Sequence, residues 1–147
     1  MLTIHSRLIN AMITQALNYH PIETCGIIAG PAGSNLPLRL ISMHQEAMPG
    51  SFPKFNPQRQ VEVWTEMNER GEEPIVIFFS HTHCQAYPTY AEVESAIAPQ
   101  AHYLIISTES LNSDELRSFR IIDRIVIEER IQIVHRYEPE LELQMVA

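Results

Sequence analysis

The chain is short of several residue types, and each shortage closes off a class of protein. Its 147 residues include only two cysteines, Cys25 and Cys84, far apart and outside any Cys-x-x-Cys arrangement. Two such thiols cannot frame a disulfide scaffold and suit a reducing compartment, so a cytoplasmic protein is expected. Positive charge is scarce: ten Lys and Arg stand against eighteen Asp and Glu, a formal net charge of -8. A surface of that sign repels nucleic acid and anionic membrane, so neither is expected as a partner. The one basic grouping, Arg117, Arg120 and Arg124, is spread along strand-like sequence and reads as a solvated face. No apolar run approaches the ~20 residues that span a bilayer. The first residues lack the pattern of a signal peptide. Internal repeats and low-complexity linkers are also missing.

What is present is an apolar fraction of 45%, rich in Ile, Val and Leu, in a length that suits one domain with a real core. Leu8, Met12 and Ala16, with Ile9, Ile13 and Leu17 beside them, predict an amphipathic helix from about Ser6 to Asn18, with Ser6 as N-cap. "TCGIIAG" and "LRLISMH", separated by a Gly30–Gly33 turn segment, predict a hairpin. In "NPQRQVEVWTEMNERG", Asn56 stands at the N-cap, Pro57 at the first helical position and Gly71 just past the end of a second helix. "PIVIFFS" is a continuous apolar run, as expected of a central strand buried on both faces. A short helix is expected from about Tyr90 to Ala98, closed by Pro99, and then strands at "HYLIIS", "LRSFRII" and "RIVIEERIQIVH". The last residues form an acidic tail, so the expected division is a domain over 1–137 and a loose tail over 138–147. Helices and strands alternate without a regular βαβ rhythm, which predicts a mixed-sheet α/β or α+β sandwich. The apolar residues of Met48 to Phe55 suggest a loop packed on its own core or on a second subunit, so a homo-oligomer is a further expectation.

Chemistry concentrates in "PIVIFFSHTHCQAYPTYAEVESA", residues 74–96. His81 ends the central strand, and Glu92 follows on the first turn of the next helix; imidazole and carboxylate are both good zinc ligands. A catalytic zinc also needs a third protein ligand, an open position for water, and a base, for which Glu23 is the candidate. Each residue has a plainer reading. Thr89 and Glu92 fit a Thr-x-x-Glu capping box, His81 can bond at a strand end, and Glu23 can be a surface charge. His83 alone reads as a loop histidine, and Cys84 is soft enough for zinc but is one thiol only.

The segments "HPIETCGIIAG", "PQRQVEVWTEMNERGEEPIVI", "AYPTYAEV" and "AHYLIISTE" followed by "RSFRI" resemble the JAMM (MPN-domain) metallopeptidases, in particular the small bacterial branch that trims ubiquitin-like sulfur-carrier proteins. The signature of that family is an upstream Glu and then His-x-His-x7-Ser-x-x-Asp. The resemblance implies an MPN-like, cytidine-deaminase-like sandwich, a zinc cofactor, and the C-terminus of a ubiquitin-like sulfur carrier as substrate. It places Glu23 as general base, His81 as the second metal histidine, Thr89 as the hydroxyl that supports the oxyanion, and Glu92 as the metal carboxylate. The first metal histidine should stand two residues before His81, and that residue is Phe79. Taking His81 and His83 as the His-x-His pair keeps the i, i+2 spacing but shortens the following turn by two residues and breaks a gapless match. Phe79 is therefore read as the replaced ligand, with His83 as a substitute from the loop and His44 as a more distant one. Two functions follow: an atypical zinc peptidase, or an impaired or metal-free relative that binds a partner peptide or acts as a scaffold. A third, altered chemistry at Cys84 or His83, has no spacing in its support.

Overall fold

The computed structural model describes residues 1–44, 56–96, 98–109, 115–138 and 141–146. The segment Met48 to Phe55 lies outside them. Strand β1 (Leu2–His5) leads into helix α1 (Ser6–Tyr19), then β2 (Cys25–Pro31), β3 (Arg39–Ser42), α2 (Pro57–Glu69), β4 (Glu72–His81), α3 (Tyr90–Glu94), β5 (His102–Ser107), β6 (Glu115–Ile122), β7 (Ile125–Glu129), β8 (Ile131–Val134) and β9 (Gln144–Val146). Among the described residues, seven strands form one mixed sheet in the order β7-β6-β5-β4-β2-β3-β9, and β1 pairs with β8 in parallel. β4 is antiparallel to β2 and parallel to β5, so it is the middle of the sheet.

The alternation of side chains along β4 sorts the core into two layers. Ile77 and Phe79 face the layer that holds Val63 and Met67 of α2, with Val93 of α3 packed against it. Val76 and Phe78 face the layer built by Leu8, Ile9, Met12 and Ala16 of α1 and by β1. Each fully buried aliphatic side chain stabilises this arrangement by roughly 2 kcal/mol. The expected sandwich of a mixed sheet between helices is what forms, and the apolar run of β4 is buried from Pro74 to His81. No helix of the described residues is long and apolar enough to cross a membrane.

Three local expectations change. The N-cap of α1 is His5, whose Nδ1 accepts the Arg7 N–H at 3.0 Å, while Ser6 is already helical. His5 is fixed for this by Tyr137, whose hydroxyl accepts the His5 N–H at 3.0 Å and donates to the Pro37 carbonyl at 2.7 Å. Helix α3 stops at Glu94 and not near Ala98, because the Ser95 hydroxyl takes the Glu92 carbonyl at 3.3 Å and competes with continued helix. The chain end is not loose throughout: Gln144–Val146 runs parallel to β3, from Arg39 opposite Gln144 to Ile41 opposite Val146. Helix α2 forms as its capping residues predict, with Asn56 accepting from Gln58 and Arg59 and Gly71 in the left-handed region at φ 68°.

Candidate active site

The site forms where β2 begins and β4 ends. Cys25 lies opposite Phe79 in the β2–β4 register, so Glu23, two residues earlier, comes to the end of β4 beside His81. A clasp fixes this junction: the Thr24 N–H donates to the Ser80 hydroxyl at 2.8 Å, and the Ser80 N–H donates to the Thr24 carbonyl at 2.9 Å. Glu23 is held over the strand end because its Oε2 accepts the Thr82 N–H at 3.0 Å. On the other side, the turn from Thr82 to Thr89 returns the chain so that Glu92, on α3, meets His81.

His81 and Glu92 are both almost fully buried, with Nε2 2.9 Å and 3.0 Å from the two carboxylate oxygens. The other ring nitrogen, Nδ1, lies 2.9 Å from the Gln85 carbonyl oxygen. A carbonyl only accepts, so Nδ1 carries a proton, and Nε2 turns towards a carboxylate. Two electron-rich atoms that close require a cation between them, and a proton or a metal ion satisfies the arrangement. A histidine that donates its far N–H to a carbonyl while its near nitrogen meets a carboxylate is also how proteins orient a metal ligand. Burial opposes charge on the His81 ring, but the hydrogen bond and charge of Glu92, the Gln85 carbonyl and the charge of Glu23 together raise its pKa.

Glu92 is locked from its own helix as well. Thr89 caps α3, its hydroxyl oxygen accepting the Glu92 N–H at 3.2 Å, while Glu92 Oε1 accepts the Thr89 N–H at 2.8 Å. The capping box therefore forms in full. It does not consume the Thr89 hydroxyl, whose proton is still free to donate.

Position 79 shares the face of His81, two residues along the strand. The side chain there belongs to the apolar layer with Cys25 and Ile105, its register partners on β2 and β5, and offers no lone pair. His83 is exposed in the turn. His44 lies instead beside Thr24, Nδ1 to Oγ1 at 2.9 Å, with Tyr19 stacked on its ring at 3.5 Å. Among the described residues, no three His, Cys, Asp or Glu side chains cluster as a metal cage. His81 and Glu92 thus supply two of the three protein ligands that a catalytic zinc needs.

Neither thiol is activated. Burial, with the charge of Glu92, pushes Cys25 up to about 12, and its thiol donates to the Met43 carbonyl. Cys84 is also raised, by partial burial first and then by Glu23, Glu92 and Glu109, so the thiolate a nucleophile needs is disfavoured. Gln85, Thr82 and Ser80 act through a carbonyl, an N–H and a local clasp. Residue type and spacing gave no signal for the first two, because any residue supplies those backbone groups.

Comparison with known proteins shows the family and the fold. A family model described as prokaryotic homologs of the JAB domain matches residues 5–122. The CysO-cysteine peptidase of Mycobacterium tuberculosis is 41% identical over 137 residues, which cover 93% of this chain and 94% of that protein. The solution structure of a Desulfitobacterium hafniense protein superposes with a TM-score of 0.77 at 25% identity, covering 95% of this chain and 97% of that one. The crystal structure of a JAB1/MPN domain protein from Archaeoglobus fulgidus shares the fold, with a TM-score of 0.58 at 14% identity over 91% of this chain and 99% of that one.

Proposed function

The chain belongs to the prokaryotic homologues of the JAB domain, and on that premise we propose that it is a peptidase that trims the C-terminus of a ubiquitin-like sulfur-carrier protein. The observation that carries this reading is the 41% identity to a CysO-cysteine peptidase over 93% of the chain. The convergence of Glu23, His81, Thr89 and Glu92 on one strand end agrees with it.

Each side chain has a chemical task. One oxygen of Glu23 is engaged by the Thr82 N–H, which leaves the other to take a proton from the attacking water and deliver it to the leaving amine. The Thr89 hydroxyl, its oxygen already occupied by the Glu92 N–H, donates its proton to the oxyanion of the tetrahedral state. His81 and Glu92 would hold zinc, which when bound supplies Lewis acidity and a water of lowered pKa. His83, from the neighbouring turn, is proposed as the substitute third ligand. Zinc content that falls on His83→Ala would support that role, and unchanged content would remove it. The residues of the carrier tail upstream of the scissile bond would bind extended, and the product would be a carrier ending in a free carboxylate. A domain over 1–137 followed by an acidic segment remains part of this proposal, with Gln144–Val146 returning to the sheet beside β3.

The test is hydrolysis of a ubiquitin-like carrier bearing a cysteine amide-linked to its C-terminal glycine, followed by intact mass. Loss of one residue's mass is expected, with the rate reduced by roughly 10²- to 10⁴-fold in Glu23→Gln. Phe79 favours a second reading, a binding module that keeps the groove without turnover. An intact carrier with the parent protein, together with cleavage by Phe79→His, would establish the second reading in place of the first.

A further inference from the structure

We propose that the protein forms a symmetric dimer through strand β7, in which two copies join their sheets edge to edge. Among the described residues no element lies alongside the outer edge of β7, which ends the seven-stranded sheet. Its sequence, Ile125-Val126-Ile127-Glu128-Glu129, is rich in strand-forming residues and carries neither proline nor lysine, the usual means of protecting an edge. Ile125 and Ile127 are 62% and 55% exposed on one face, next to each other in the alternation of the strand.

The backbone allows few ways to pair this edge with itself, and the side chains choose one. Asp123 and Arg124, both at positive φ (50° and 65°), make a two-residue hairpin turn between Ile122 and Ile125. Such a turn makes its flanking residues a hydrogen-bonded pair, so Ile125, Ile127 and Glu129 direct their backbone groups inward to β6. The groups of Val126 and Glu128 point outward, and Arg124 stands in the turn just before them. An antiparallel copy must therefore oppose these even-numbered residues to one another.

Placing the twofold axis at Val126 sets Val126 against Val126, Arg124 against Glu128, and Ile125 against Ile127. Moving the axis one residue towards the C-terminus sets Arg124 against Arg130 and Val126 against Glu128. Moving it one residue the other way sets Arg124 against Val126 and Glu128 against Ile122. Only the central register matches charge with opposite charge and covers all four isoleucines with one another. In that register the Ile125–Ile127 contacts are the non-hydrogen-bonded pairs, where side chains approach closest. The interface is isologous, as a closed dimer requires.

A second copy fits this edge better than a substrate tail does. β7 is three strands from β4, about 14 Å at the usual spacing, so a tail laid along it does not run beside His81. Arg124 and Glu128 meet Glu94 and Arg117 of their own chain, at 3.3 Å and 2.6 Å, and in the dimer each would share its charge between that contact and the partner.

Sedimentation velocity on the full chain, from micromolar to near-millimolar concentration, should show a shift from one copy to two. Ile127→Lys should restore the single-copy mass throughout with circular dichroism and melting temperature unchanged, since the side chain is exposed. In a Cys84→Ser background, Val126→Cys should cross-link to its own copy under mild oxidation, because opposed residues of a hydrogen-bonded pair lie ~5.5 Å apart at Cα, within disulfide reach. A single copy at every concentration overturns the proposal, as does a dimer that survives Ile127→Lys. A dimer that Ile127→Lys dissolves but Val126→Cys does not cross-link overturns the register.

Discussion

Two buried histidine–glutamate pairs stand at opposite ends of the parallel strands β4 and β5, and their surroundings differ. His102, at the start of β5, has Nδ1 2.6 Å from Glu129 and Nε2 2.8 Å from Asn35 Oδ1. Glu129 also accepts from the Ser118 hydroxyl at 2.9 Å, and its second oxygen faces the amino terminus at 3.1 Å as an ion pair. That pair is closed on all sides. His81, at the end of β4, shares Glu92 with the capping box, has a second carboxylate above it in Glu23, and has an apolar ring at the position two residues before it. The same two residue types thus form a closed pair where Asn35, Ser118 and the amino terminus surround them, and a more open one where a second carboxylate, Glu23, stands beside them, which is where the proposed chemistry lies.

The contrast predicts that breaking the closed pair damages stability and breaking the open pair damages chemistry. Removing one partner of a buried ion pair leaves the other uncompensated, so His102→Ala should cost about 3–5 kcal/mol in denaturant unfolding. The folded fraction should hydrolyse carrier at the parent rate. His81→Ala should abolish hydrolysis. Equal loss of activity in both variants, after correction for folded protein, would remove the distinction.

Acid should separate the pairs next. Burial tends to raise the Glu129 carboxyl, but the hydrogen bond and charge of His102, with the amino terminus and Ser118, hold it at about 2 against an ordinary 4.5. A lowered pKa means the folded state favours the ionised form. Its contribution is therefore complete above pH 4.5 and is lost as pH falls through about 2. At about 1.4 kcal/mol per unit the shift corresponds to at most about 3 kcal/mol. The difference in unfolding free energy between the parent and Glu129→Gln should be constant from neutral pH to about 4.5 and shrink below it. A difference that does not change down to pH 2 would show that the closed pair does not act through charge.

The open pair is tested most directly at the residue that leaves it incomplete. Phe79→His adds a third protein ligand on the face of His81, and zinc affinity should rise about 10- to 100-fold, by analogy with the loss from removing a supporting group. Zinc should then raise the melting temperature of the variant more than that of the parent, a readout independent of turnover. No change in either would mean that position 79 does not reach the ion.

How much of this contrast was legible beforehand depends on the range of the interactions. The strand ending in His81, the Thr89–Glu92 box and the Asn56–Pro57 start of α2 are all local, and spacing along the chain is enough to find them, whereas the gap at Phe79 shows only against the family signature. The clasp between Thr24 and Ser80 and the anchoring of Glu23 by Thr82 join residues 56 and 59 positions apart. They exist only once β2 and β4 are in register. The closed pair was not foreseen at all: His102 read simply as the first residue of "HYLIIS", and its partners lie 27 and 67 positions away. Likewise, the pairing of β9 with β3 depends on a sheet edge that the acidic end of the chain gives no sign of. Function was easier to read than support, because catalytic side chains must be particular residues whereas the groups that hold them are often backbone.

The smallest effect should come from Thr89, and its size follows from the same comparison. Thr89→Ala removes the hydroxyl that accepts the Glu92 N–H, a loss of about 1 kcal/mol for an N-cap, and Thr89→Ser should recover most of it. Thermal or urea unfolding of the two variants measures this. The cost is well below that expected at His102 because Thr89 is only half-buried, so water can replace the lost acceptor, and Glu92 keeps its contact with His81. A loss as large as that of His102→Ala would mean the open site is as tightly closed in solution as the pair at the other end of the sheet, and there would then be no space beside His81 for a water and a peptide.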